Sequence, residues 1–119
     1  MGSLPLRREA RAQSLRKALL FSEIGAEALP GIYGGQRWSE EYQADLLETV
    51  VRFVLDSGRC SGTFLWQYCD TRTFLSNASQ SAAGGFNSKG LLDRYRNPKI
   101  SWRRLSDLLT NKNSQKKED

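Results

Sequence analysis

The chain has 119 residues, a length that favours one domain over two. A hydrophobic fraction of 39% and a charged fraction of 26% are typical of a globular protein. The formal net charge of +5 makes nucleic acid and anionic substrates worth considering as partners. Because the sequence contains no histidine, Ser-His-Asp and Cys-His catalysis and most zinc sites are excluded. We expect no metal and no cofactor.

The cysteine positions and the absence of apolar segments bear on location. If the chain between Cys60 and Cys69 is extended, the two lie roughly 30 Å apart. That is too far for a disulfide, which needs Cα atoms within about 7 Å, so a reducing compartment is favoured. The first residues lack the apolar core of a signal peptide, and no run reaches transmembrane length. We therefore expect a cytoplasmic protein with no membrane partner.

The amino-terminal half predicts a helix, a strand and a second helix. Residues 1–17 form a predicted basic helical lead-in. Ala18–Glu23 is too short and apolar for a helix and predicts a buried strand. Ser39 is a candidate N-cap, followed by acidic residues that favour a first helical turn. Ser57-Gly58 is a natural end for this helix.

The carboxyl-terminal half predicts a strand, a long loop and a helix. Ser61–Asp70 is rich in aromatic and apolar residues and predicts a second buried strand. Residues 71–90 predict a polar loop with little that could pack, and Asn97-Pro98 predicts the start of the last helix. After Thr110, residues 111–119 predict a disordered tail. The strand–helix–strand order predicts an α/β fold with a parallel pair and a right-handed crossover.

Two carboxylates occupy the predicted strand ends, where parallel α/β proteins gather reactive groups. If the strands are neighbours, Glu23 and Asp70 are separated by about 4.8 Å. Retaining glycosidases use two carboxyl groups about 5–5.5 Å apart. The alternative is that both are solvated or capping residues, as strand ends of α/β proteins commonly are.

The stretch GGFNSKG and one tryptophan are candidate binding groups. Asn87 and Lys89, two residues apart in an extended loop, point to the same side and suit a sugar carboxylate or a phosphate. The flanking glycines fit an ordinary turn equally well. Trp66 near the end of the second strand is a candidate core residue, or the floor of a sugar pocket.

A basic cluster in the last quarter of the chain could contact phosphates. The alternative is a solvated face of the last helix, which we favour, so no nucleic-acid partner is expected. The cluster consists of Arg94, Arg96, Lys99, Arg103 and Arg104.

Four stretches, taken together, resemble the carboxyl-terminal end of the catalytic barrel in glycoside hydrolase family 2, especially bacterial β-glucuronidases. They are LFSEIGAEALPG, RWSEEYQADLL, GTFLWQYCDTRT and FNSKGLLDRYRNPK, spread from about Ala18 to Leu109. The resemblance implies that residues 18–110 are the last two βα units of a partial (β/α)8 barrel, strands seven and eight with their helices, incomplete on its own.

The resemblance also implies roles for individual residues. Glu23 falls where the family carries its catalytic nucleophile, and Gly25 would permit a tight turn behind it. Trp66 matches the tryptophan that borders the sugar site. Asn87 and Lys89 match the Asn-x-Lys pair that binds the glucuronate carboxylate, so a β-glucuronide is the implied substrate. Asp70 is not the family's acid/base, and local hydrogen bonding is its expected role.

The chain departs from the family pattern in several ways. The family's acid/base is a glutamate in an Asn-Glu step, and no such step occurs in this sequence. Strands one to six are missing, and Ala82–Gly85 stands where many relatives carry an arginine. We therefore expect the isolated chain to be inactive and marginally folded. It would be a fragment of a retaining glycosidase, the non-catalytic subunit of a split enzyme completed by a separate chain, or a basic binding module.

Overall fold

The computed structural model describes residues 17–73 and 85–116. Most of the predicted lead-in, the middle of the predicted 71–90 loop and the last three residues lie outside this part of the chain. The elements, in chain order, are β1 (Leu20–Ile24), α1 (Glu40–Ser57), β2 (Gly62–Leu65), β3 (Thr71–Arg72), β4 (Phe86–Asn87) and α2 (Ile100–Lys116).

Strands β1 and β2 form a parallel pair, as the strand–helix–strand order predicted. Leu20 pairs with Gly62 and Ile24 with Leu65. The second strand is shorter than predicted, because it ends at Leu65 and not at Asp70. The described strands form two two-stranded sheets and no closed barrel, so the fold is mixed α/β.

Helix α1 has the ends that its sequence predicted. Ser39 is the N-cap, and its hydroxyl accepts a hydrogen bond from the Tyr42 N–H at 3.1 Å. At the other end Gly58 adopts a left-handed conformation with φ of 65°, which a residue without Cβ adopts at little cost. Local capping chemistry therefore defines this helix.

The prediction that residues 71–90 form a loop without packing is wrong where the structure describes them. Strands β3 and β4 pair antiparallel, with Thr71 opposite Asn87. Asn87, Ser88 and Gly90 are buried. This segment therefore belongs to the folded body.

Helix α2 begins later and ends later than predicted. Pro98 is not in its first turn but bridges to Leu92, and the helix starts at Ile100. The Ile100 N–H donates to the Glu40 carboxylate at 2.9 Å, so the cap is supplied from another helix. The helix extends to Lys116, beyond the predicted end at Thr110, so the tail predicted for 111–119 begins within it.

The apolar core lies where the two helices meet the β1–β2 sheet. Its buried members are Leu47, Val51, Leu91, Leu105 and Leu108, with Ile24, Leu46 and Leu65 packed against them. Several large apolar side chains stay exposed, among them Leu20 at 51% and Phe64 at 67%. Within the described residues, neither helix has the length and apolar character needed to cross a membrane.

Candidate functional site

A run of backbone hydrogen bonds connects the three segments that carry the predicted site residues. Glu23 is exposed and lies next to the end of β1. The carbonyl of the following residue, Ile24, accepts from the Trp66 N–H at 2.7 Å. The next N–H, that of Gln67, donates to the Lys89 carbonyl at 3.0 Å. The fold therefore brings the backbones at Glu23, Trp66 and Lys89 to one end of the sheet.

Gly25 allows this close approach. A Cβ at position 25 would lie 2.2 Å from the Trp66 carbonyl oxygen, a distance that no side chain tolerates. The expectation that Gly25 permits a tight turn is therefore corrected. Its backbone is not in the left-handed region, and the missing side chain makes room for the neighbouring chain.

Trp66 is not a core residue. It is 44% exposed, so the core alternative for this ring is wrong. The peptide bond between Trp66 and Gln67 is cis. Two residues on, the Tyr68 ring meets the Trp102 ring edge-on, with centroids 6.1 Å apart, and this contact attaches α2 to the segment after β2. The Trp66 side chain is thus accessible to a ligand at the sheet end.

Asn87 and Lys89 differ in their surroundings. Asn87 is only 7% exposed, and its Oδ1 accepts from the Lys89 backbone N–H at 3.0 Å. The Lys89 side chain is half-buried. Among residues 17–73 and 85–116, its ammonium makes no hydrogen bond or ion pair. The Asn87 amide oxygen therefore stabilises the turn, and the Lys89 charge remains available to an anion.

A buried lysine holds the segment that carries Asn87 and Lys89 in place. Lys99 is 2% exposed, and its ammonium donates to the Ala28 carbonyl at 2.7 Å, the Ser88 carbonyl at 3.0 Å and Asp70 Oδ1 at 2.8 Å. These three acceptors match the three N–H donors of a charged ammonium. Lys99 therefore joins the segments that follow β1 and β2 to the segment that carries Asn87 and Lys89.

Gln43 makes a second set of buried cross-links. Its amide nitrogen donates to the carbonyls of Ala26 at 3.1 Å and Gly90 at 3.0 Å, with Lys89 at 3.3 Å. Its amide oxygen accepts from the Ser101 hydroxyl at 2.7 Å. One side chain of α1 thus holds the end of β1, the Lys89 turn and the start of α2 together.

Gly90 is required by the closeness of two backbones. A Cβ at this position would lie 2.3 Å from the Asp70 nitrogen and 2.4 Å from the Leu92 carbonyl oxygen. Without a side chain, the Gly90 N–H instead donates to Asp70 Oδ1 at 2.9 Å. The turn after Lys89 therefore lies directly on the chain that follows β2.

The expected local hydrogen-bonding role of Asp70 is confirmed. Its Oδ1 accepts from both Gly90 and Lys99, and the residue is 5% exposed. Burial raises the pKa of the Asp70 carboxyl, and the Lys99 ammonium opposes that shift. Burial likewise lowers the pKa of Lys99, and the Asp70 carboxylate opposes that change. This buried pair holds together the segments that carry the predicted site residues.

The prediction that the basic cluster is a solvated face of the last helix is wrong for Lys99, whereas Arg94 and Arg103 are exposed. Lys99 is buried, and Arg104 is paired with Asp45 at 2.7 Å and with Glu48. The Arg94 guanidinium lies 4.6 Å from the centre of the Phe86 ring. Sequence reasoning missed Lys99 and Gln43 as site supports. For Gln43 a signal was available, because it is a polar residue within the apolar stripe of α1.

Metal ligation has no candidate within the described residues, because no three Cys, Asp or Glu side chains gather there. The nearby cavity of about 500 Å³ is lined in part by Asp70 and Ser88. Glu23, Trp66 and Lys89 do not line it. The predicted site residues therefore lie at an open sheet end and not inside this cavity.

Comparison with known proteins gives matches over part of the chain. No family model matches. The β-glucuronidase of Rattus norvegicus is 36% identical over 91 residues, which cover 72% of this chain and 13% of the relative. The chain therefore spans about 13% of the length of the curated relatives it matches.

Solved structures of a β-galacturonidase and of β-glucuronidases match the chain in fold. A glycoside hydrolase family 2 β-galacturonidase from Eisenbergiella tayi is 38% identical with a TM-score of 0.69, covering 76% of this chain and 16% of that one. A β-glucuronidase from Bifidobacterium dentium, complexed with coumarin-3-O-glucuronide, is 29% identical with a TM-score of 0.72, covering 87% and 16%. Over the part that these matches cover, the chain is related to the β-glucuronidases of glycoside hydrolase family 2.

Proposed function

We propose that this chain supplies the nucleophile-bearing part of the active site of a retaining β-glucuronidase-like glycoside hydrolase. The observation that carries the proposal is the backbone network that joins Glu23, Trp66 and the Asn87–Lys89 turn at one sheet end. The similarity to β-glucuronidases and a β-galacturonidase supports the reaction class.

In this proposal β1 and β2 are strands seven and eight of a (β/α)8 barrel, and α1 and α2 are their helices. Residues 18–110 are the barrel portion, 1–17 the lead-in and 111–119 the tail. Strands one to six come from residues outside this sequence, either further polypeptide or a separate chain. The parallel pair supports this, because parallel strands are normally covered on both faces and both edges.

The proposed reaction begins with Glu23. Its carboxylate attacks the anomeric carbon, the aglycone oxygen leaves with a proton, and a glycosyl ester forms that water then hydrolyses. The Trp66 ring packs against the C–H face of the sugar. Asn87 and Lys89 bind the carboxylate of the uronic acid, for which the available Lys89 ammonium is suited.

The proton for the leaving group comes from an acid/base outside this sequence. The 119 residues contain no Asn-Glu step, and the buried Asp70 is held through Oδ1 by Gly90 and Lys99. Without that proton donor and the remaining strands, the isolated chain is inactive in our proposal. Its partners are a β-glucuronide or related glycoside and the polypeptide that completes the barrel, with no nucleic acid or membrane, and the cytoplasm is its compartment.

The nucleophile is tested by covalent trapping. Residues 18–110 replace the matching segment of the Bifidobacterium dentium β-glucuronidase, and the chimera is treated with 2-deoxy-2-fluoro-β-D-glucuronyl fluoride. Fluoride leaves without a proton, and the fluorine at C2 slows hydrolysis of the ester, so the nucleophile stays labelled. We expect the label on the peptide that contains Glu23, with loss in Glu23→Gln and retention in the matched Glu27→Gln control. A label on another carboxylate, or turnover that survives Glu23→Gln, contradicts the assignment.

The uronate site is tested with the same chimera and Lys89→Met. Loss of a charge-assisted contact to the carboxylate is expected to lower kcat/KM for a β-glucuronide by about 10–100-fold. A β-glucoside lacks the carboxylate, so its slow hydrolysis should not fall. A β-galacturonide, which keeps the carboxylate and differs at C4, should lose as much as the glucuronide. Equal losses for the glucoside and the glucuronide would remove Lys89 from this role.

A further inference from the structure

The cavity of about 500 Å³ is lined in part by Phe86 and Ser88, the two sequence neighbours of Asn87. Leu29 and Pro30, which follow β1, form one apolar wall, and Phe86 forms another. None of the residues proposed for catalysis or uronate binding lines it. The proposed function leaves this cavity without a role.

Two side-chain oxygens of residues that line the cavity have no hydrogen-bond partner within residues 17–73 and 85–116. Asp70 and Ser88 are 5% and 3% exposed, and both line the cavity. Asp70 Oδ1 is occupied, but neither Asp70 Oδ2 nor the Ser88 hydroxyl forms a hydrogen bond with any described residue. Every fully enclosed side-chain oxygen and nitrogen in the described part of the chain does have a partner. These two oxygens therefore open onto the cavity, one as an acceptor and the other as donor and acceptor.

An arginine supplies fixed donors at the rim. The Arg94 guanidinium lies 4.6 Å from the Phe86 ring centre and 4.7 Å from the Tyr95 ring centre. Stacking on two rings restricts its orientation while its N–H groups remain on the edge of the plane. Among the described residues those N–H groups have no acceptor. They can therefore donate to a bound molecule.

The charges around the cavity balance. The Asp70 carboxylate is paired with Lys99 at 2.8 Å. The Asp93 carboxylate accepts from the Tyr95 N–H at 2.8 Å and from the Asn97 N–H at 2.9 Å, and Arg94, which also lines the cavity, carries the opposite charge. A cavity without surplus charge favours a neutral ligand over a phosphate or an amine.

We propose that this cavity binds a neutral polyhydroxylated molecule the size of a mono- or disaccharide. Its hydroxyls donate to Asp70 Oδ2 and accept from the Ser88 hydroxyl and Arg94, while its C–H face packs on Leu29 and Phe86. The volume suits such a ligand, since small-molecule pockets measure about 300–1,000 Å³. The site is independent of the proposed function and remains if Glu23 is not a nucleophile.

The test is a titration of the isotope-labelled 119-residue chain with methyl β-D-glucopyranoside, followed by amide chemical shifts. We expect a Kd of about 10 mM, with shifts at Leu29, Phe86 and Arg94. Ser88→Ala removes one hydrogen bond and should weaken binding about fivefold, and the matched exposed variant Ser106→Ala should not.

A second variant fills the cavity from its rim. Pro30 is exposed, so Pro30→Trp should leave the helical circular dichroism unchanged and abolish the shifts. Shifts confined to Glu23, Trp66 and Lys89 would overturn the proposal and support sugar binding at the proposed active site instead. Absence of any shift up to about 100 mM, ten times the expected Kd, would overturn it as well. Equal affinity of Ser88→Ala, Pro30→Trp and the parent chain would do the same.

Discussion

Replacing Lys99 with methionine tests whether a buried ammonium holds the Asn87–Lys89 turn to the two strand ends. Methionine keeps most of the side-chain volume but donates no hydrogen bond. The Ala28 and Ser88 carbonyls lose their donor, and Asp70 becomes a buried carboxylate without its counter-charge. We expect the turn and the start of α2 to lose their attachment to the sheet.

The size of the effect follows from burial. Both partners of the Lys99–Asp70 pair are nearly inaccessible, with side chains 2% and 4% exposed. Breaking a buried pair from one side costs about 3–5 kcal/mol, because the remaining charge is left uncompensated. A domain has about 5–15 kcal/mol of stability in total. We therefore expect Lys99→Met to lower the free energy of unfolding by about 4 kcal/mol.

Urea unfolding, followed by circular dichroism and tryptophan fluorescence, measures the change in unfolding free energy from the shift in midpoint at constant slope. Arg103→Met is the matched control, since Arg103 is an exposed cation on α2 and should change stability by less than about 0.5 kcal/mol. The double variant Lys99→Met/Asp70→Leu removes both charges and should be more stable than Lys99→Met alone.

The pH dependence gives a second readout. The pKa of Asp70 is already raised by burial from its ordinary 3.8, and without Lys99 it should rise further. A carboxyl with a raised folded pKa stabilises the fold below its ordinary pKa and loses that contribution as the pH rises through the raised value. The deficit of Lys99→Met relative to the parent should therefore be smallest near pH 3.8 and largest at neutral pH. A loss below about 1 kcal/mol at neutral pH, matching Arg103→Met, would refute the reasoning.

Two further predictions concern backbone contact and surface charge. Gly90→Ala should destabilise the chain in urea by about 3 kcal/mol or more, because its Cβ would meet backbone atoms at 2.3–2.4 Å. In the control Gly62→Ala the new Cβ would meet only the end of the Leu20 side chain, at 3.4 Å. A similar loss of unfolding free energy in this control would contradict the explanation. Hydrogen bonds from Arg52 and Arg104 lower the pKa of Glu48. The contribution of Glu48 to folding stability is therefore present above pH 4.5 and is lost as the pH falls through the lowered pKa. In Arg104→Met the melting temperature should depend less on pH below 4.5 than in the parent chain. An unchanged pH profile would argue against a stabilising Glu48–Arg104 pair.

Much of the site was predictable because it depends on residue type and order along the chain. The motif around Glu23, Trp66, Asn87 and Lys89 was identified from sequence, and the parallel pairing of the strands follows from strand–helix–strand order. The roles of these residues remain proposals, and their meeting at one sheet end needed the backbone contacts of the fold. The second strand was predicted too long, because its aromatic composition continues past Leu65 while its hydrogen bonds do not.

The sequence by itself determined the features set by neighbouring residues. The ends of α1 depend on the Ser39 hydroxyl and on the left-handed Gly58, both within reach of the helix they cap. Tertiary structure decided the rest. Only the folded chain shows that Lys99 is buried among three acceptors, that Glu40 caps a helix 60 residues away and that Gly25 makes room for Trp66. Each of these depends on atoms distant in sequence, whose proximity no local pattern records.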